Sequence, residues 1–157
     1  MRRYILMICL VFSIQGMAQI AVGVEYSSKT KEVTLSLNNK TDSYFNFIPI
    51  DYGNFYKYSN TISFTFKDSR GHVLGHAERL IYDEQFHQPR GKGRYLFPHE
   101  TNQYIHQLTR WCDRNDIYNV EVLVKIDARI VDPNRKGGGK STKQETFKTE
   151  FRKTVLW

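Results

Sequence analysis

Cysteine is nearly absent from this chain: 157 residues hold two, Cys9 and Cys112. Cys9 lies inside an N-terminal apolar run, so without that run no disulfide can form within one chain. Cys112 then reads as a small buried apolar residue, with an intermolecular disulfide as its other use. Long hydrophobic runs are missing as well, and no segment after residue 18 is apolar enough to cross a bilayer as a helix. The chain carries no G-x-S-x-G nucleophile elbow, no familiar metal-ligand spacing and no motif that reads DNA or RNA. These absences argue against catalysis, metal binding and nucleic-acid recognition. No cofactor is expected.

One stretch comes close to a phosphate-binding loop. "NRKGGGKS", Asn134 to Ser141, ends in the Gly-Lys-Ser of G-x-x-x-x-G-K-[ST], with Asn134 where the first glycine should stand. Asn tolerates the left-handed backbone, so context decides. Such a loop must open a helix whose amides face the phosphates. Instead Phe147, Thr149, Phe151, Val155 and Trp157 follow on alternate positions, the period of a strand. Thr142 and Glu145 have capping-box spacing, but β-branched and aromatic residues dominate. The stretch reads as a hairpin tip.

The N-terminus has a charged opening at Arg2 and Arg3, an apolar run from Tyr4 to Ile14, and small residues at Gly16 and Ala18. That is the layout of a secretory signal peptide over residues 1–18, with cleavage before Gln19. Residues 19–157 then form one domain of 139 residues, large enough for a real core. The expected destination is the periplasm or the medium, and the short, Arg-initiated signal looks like that of a Gram-negative bacterium. Cleavage removes two basic residues, leaving 21 against 16 acidic and a formal charge of +5. Such a charge biases encounters toward anionic partners.

Alternation dominates the rest. Ile20, Val22, Val24 and Tyr26 share one strand face, and Val33, Leu35 and Leu37 another. Tyr44–Ile50, the run around Ile62, Phe64 and Phe66, and a weaker run from His72 to Tyr82 follow, with residues 83–93 as a long polar loop. From Tyr118 to Ile130 apolar residues hold every even position, predicting a long, half-buried antiparallel strand that forms a hairpin with the last one. The exception is residues 101–112. There Tyr104, Ile105, Leu108, Trp111 and Cys112 match a helix face capped by Thr101, and an edge strand from Tyr104 is the alternative. The chain is therefore mainly β, an antiparallel β-sandwich with one short helix near 101–112. Its spacing resembles, in pattern only, the broad immunoglobulin-like class of exported bacterial domains. No family motif accompanies that likeness, so it transfers no functional residue. A Greek-key barrel competes.

Chemistry is sparse. His72 and His76 lie four residues apart, about 13 Å along a strand, too far to share an ion. Asp83 and Glu84 are adjacent acids with no sign of a shared cleft. Asn39-Lys40-Thr41 has the form of a glycosylation sequon. Two clusters point to contact with a partner. Tyr52, Phe55, Tyr56 and Tyr58 crowd around the Gly53 turn, and rigid aromatic loops suit protein recognition. Arg90, Lys92 and Arg94 occupy one basic loop and Arg135, Lys136 and Lys140 another, together suited to an anionic envelope surface. The expected function is that of an exported, non-catalytic module binding a protein, as an inhibitor or immunity-type factor. The alternatives are a structural or adhesive envelope component that uses its C-terminal hairpin and, with little weight, an enzyme with dispersed catalytic residues.

Overall fold

A computed structural model describes residues 19–47, 60–81, 95–131 and 145–157. Strands make up 66% of the described residues and no α-helix occurs among them, so the protein is mainly β. Both sheets are antiparallel, and one of them is curled into a half-barrel. The smaller sheet has the order β1 (Ile20–Ser27), β2 (Glu32–Asn39), β7 (Thr101–Gln107). The larger contains β3 (Tyr44–Asn46), β4 (Thr61–Lys67), β5 (Val73–Leu80), β6 (Tyr95–Leu96), β8 (Asn119–Val131) and β9 (Thr146–Leu156).

Strand β8 is the spine of the larger sheet. One of its edges pairs with β9 along Asn119–Arg129. Its other edge is shared: β4 takes Asn119–Lys125 and β3 takes Arg129–Val131. The junction between those two partners is closed by a side chain. Asn60, 1% exposed, donates from Nδ2 to Phe47 O and Asp127 O, each at 3.0 Å, and accepts from Asp127 N at 2.8 Å. A carboxamide thus completes a backbone ladder where the chain changes partner.

The predicted alternation places the core. Val120, Val122, Val124, Ile126 and Ala128 from β8 join Ile62, Phe64 and Phe66 from β4 in one buried cluster with Val33, Leu35 and Leu37 from β2. Phe45 and Phe47 are fully buried, as their alternation requires. The two sheets meet where the Phe64 ring lies 5.5 Å from that of His106 on β7. The turns use local chemistry. Asp68 accepts from the N–H groups of Arg70 and His72, and Gly71 takes the positive φ of 86° that closes the reversal.

The helix expected near 101–112 is not formed. Thr101–Gln107 pairs with β2, and only Leu108–Arg110 makes a 3₁₀ turn. A helical face would place Tyr104 and Ile105 on the same side. In the strand they separate, Tyr104 to 2% exposure and Ile105 to 62%. The edge strand weighed as the alternative is what forms, starting at Thr101 rather than Tyr104, because the backbone of β2 supplies its pairing partners. The short strand β6 also escaped the sequence patterning, since two residues carry no period.

Candidate functional site

The sequence-derived contact residues fall outside the described segments. This applies to Tyr52, Phe55, Tyr56 and Tyr58, to Arg90, Lys92 and Arg94, and to Arg135, Lys136 and Lys140. The proposed signal peptide and the Asn134–Ser141 loop lie outside them too. The described residues place a different set of polar groups together, on the face of the larger sheet that points away from the core.

Register builds this face row by row. His76, Thr65, Glu121 and Thr154 stand opposite one another across β5, β4, β8 and β9. The next row is Glu78, Ser63, Leu123 and Arg152. Side chains directly opposite on antiparallel strands share a face, so each row is a line of neighbours. The central strand β4 offers only short hydroxyl side chains here, Thr61, Ser63 and Thr65. Longer side chains on β5 and β8 stand above them, and Thr61 and Ser63 are buried although they point away from the core. The result is an open hollow of about 210 Å³ whose lining includes Ser63, Thr65, His76, Glu121, Leu123 and Arg152.

Hydrogen bonds give the hollow a defined polarity. The Thr65 hydroxyl lies 3.0 Å from His76 Nδ1. Lys67 Nζ donates to Glu121 at 2.6 Å, and Arg152 donates from Nε and Nη2 to Glu150 at 2.8 and 2.7 Å. A hydroxyl beside an imidazole invites comparison with a nucleophile and its base. The carboxylate in that row, Glu121, stands on the far side of Thr65 from His76 and is bound to Lys67, so it does not orient the ring. The hollow can exchange hydrogen bonds and ion pairs with a docked side chain. It is smaller than the roughly 300–1,000 Å³ of pockets that enclose small ligands.

Other features distinguish packing from recognition. Trp111 stacks on Phe64 at 5.0 Å and 18°, and the Arg79 guanidinium sits 5.5 Å from the centre of its ring. The turn after β7 thus seals the inner side of β5, bringing Cys112 against Gly75. Cys112 is buried, as its sequence reading expects, and that burial pushes its thiol pKa upward. Burial likewise pushes Tyr104 up to about 12, so its hydroxyl stays neutral. The sequon at Asn39 is structural: the side chain is buried, and Nδ2 donates to Ser43 O at 2.7 Å and Phe97 O at 2.8 Å. A glycan on that nitrogen is incompatible with these bonds. His72 is held by Asp68 at 3.0 Å in the turn before β5, away from the Thr65–His76 pair.

Sequence reasoning missed the hollow because its residues are scattered from 63 to 154. The available signal was the run of small hydroxyl residues on alternate positions 61, 63 and 65, between apolar Ile62, Phe64 and Phe66. Among the described residues no group of three or more His, Cys, Asp or Glu is placed to hold a metal ion. No helix among them is long and apolar enough to cross a membrane. No family model, no curated protein and no solved structure matches the chain.

Proposed function

We propose that the protein is an exported, non-catalytic binding module, and that a protein partner lies across the outward face of the larger sheet. The observation that carries this reading is the open hollow with its paired charges and hydroxyl floor. Its size suits one inserted side chain of a partner, and polar side chains such as Glu78 and Lys125 continue along the flanking rows. Interfaces concentrate affinity in such desolvated recesses, ringed by contacts that exclude water. An immunoglobulin-like β-sandwich is the architecture we propose around it, because residues of both sheets enter one core cluster. A Greek-key barrel remains the competing arrangement. The export signal at residues 1–18, a periplasmic or extracellular destination, and an inhibitor or immunity-type role belong to the same proposal.

The test is capture of a partner from native envelope extract on immobilised residues 19–157, repeated with His76→Ala and Glu121→Ala. Retention by the parent chain and loss by both folded variants supports the reading. Equal retention by all three removes this face from recognition and returns attention to the aromatic residues at 52–58. A second reading, assembly into an envelope structure, is favoured by the exposed edge of the final strand.

A further inference from the structure

Strand β9 is an edge of the larger sheet, pairing with β8 and with no other described strand. Which backbone groups it leaves free follows from its two ends. Trp157 N donates to Tyr118 O, and Ile130 N donates to Glu145 O, each at 2.9 Å. Hydrogen-bonded and non-bonded pairs alternate in an antiparallel ladder, so odd-numbered residues of β9 turn their backbone to β8. The N–H and C=O groups of Thr146, Lys148, Glu150, Arg152, Thr154 and Leu156 point away from it. All six of these residues have exposed side chains. On the inner face Phe147 and Phe151 are only half-buried. The edge therefore offers both unpaired backbone and incompletely covered aromatic surface.

Charged residues on an edge strand ordinarily oppose pairing with another strand. Here their order matters. If β9 meets a second β9 antiparallel about a two-fold axis, free groups must face free groups, so the axis passes beside a single residue. An axis at Phe151, the midpoint of Thr146–Leu156, overlaps all 11 residues. It sets Glu150 opposite Arg152 of the second copy, twice by symmetry. It also sets Phe151 against itself and Phe147 against Val155 on the inner face. Lys148 meets Thr154, so no like charges are opposed. The two neighbouring registers, with axes at Glu150 or Arg152, each place a charged residue against its own copy. Only the register of greatest overlap is also the electrostatically matched one.

We propose that the chain associates with a second copy of itself through β9, in the register centred on Phe151. The larger sheets of two copies then run on as one, β8–β9 continuing into β9–β8 of the second copy. The isologous contact closes on itself and ends the growth of the sheet at a dimer. The adjacent edge of β1 is already occupied at Val24, whose carbonyl accepts from Lys153 Nζ at 2.6 Å. Glu150 of the second copy would come to the side of Arg152, which lines the hollow, so each hollow lies next to the dimer axis. A single strand pair is smaller than a standard stable interface, so the dimer is expected to be concentration-dependent.

Sedimentation equilibrium of residues 19–157 across a concentration series reads the association directly. Arg152→Glu places like charges opposite each other at both symmetric positions and should weaken the dimer by on the order of tenfold. Adding Glu150→Arg to that variant exchanges the two charges and should restore the parent affinity. Circular dichroism and melting temperature check that each variant is folded. A parent chain that stays monomeric at the highest concentration overturns the proposal. So does a dimer indifferent to Arg152→Glu, or a folded double variant that fails to recover.

Discussion

Asn60 shows how much one side chain can decide. It is buried beside the position where β8 exchanges β4 for β3, and it bonds three backbone groups that no strand reaches. Replacing it with Ala leaves those groups without their partner in a buried to part-buried site, and a buried unmet group costs about 1–3 kcal/mol. Asn60→Ala should therefore lower unfolding free energy by about 2–4 kcal/mol in a urea titration. A loss below about 0.5 kcal/mol would show that the sheet closes this junction without it. Sequence alone presents Asn60 as a polar residue before a strand. Its role depends on Phe47 and Asp127, which approach from 13 and 67 positions away. Asn39 is a similar case, a sequon in the sequence and a buried bridge in the fold.

At the scale of the element, β8 is where sequence and structure agree most closely. Its even positions from Val120 to Ala128 are buried and face the core, while Glu121 and Lys125 between them are exposed. The strand is long because it serves three partners, β4, β3 and β9. Val124→Ala should cost about 1.5–3 kcal/mol through lost burial and the space left behind. Lys125→Ala, one residue along, should change stability by less than about 0.5 kcal/mol. Chemical denaturation of the two variants measures the contrast. Similar losses would mean that both faces of β8 are covered. Residues 101–107 show the limit of such patterning. Six of their side chains are polar or aromatic in an order that fits either period, and pairing with β2 made the choice.

For the whole molecule, export and recognition are separable questions. The proposed export signal has small residues at Gly16 and Ala18, so on that proposal the intact mass of protein recovered outside the cytoplasm should correspond to a chain beginning at Gln19. A full-length chain recovered from the cytoplasm would overturn the export reading while leaving the geometry of the hollow as it stands. The proposed recognition face depends instead on how β5, β4, β8 and β9 align. One residue of slippage in β4 or β8 would exchange Thr65 or Glu121 for a core residue, and in β9 it would exchange Arg152 for Phe151 or Lys153.

The sequence by itself determined that the chain is mainly β, where most strands lie, and which face of each is apolar. It could do so because strand periodicity is local: burial of one face is written into residues two apart. Only the tertiary structure decided which strands are neighbours, that residues 101–107 extend rather than coil, and that Thr65, His76, Glu121 and Arg152 meet. Those outcomes rest on contacts between distant segments, where the free energy of pairing outweighs local preference and no short-range pattern records the partner.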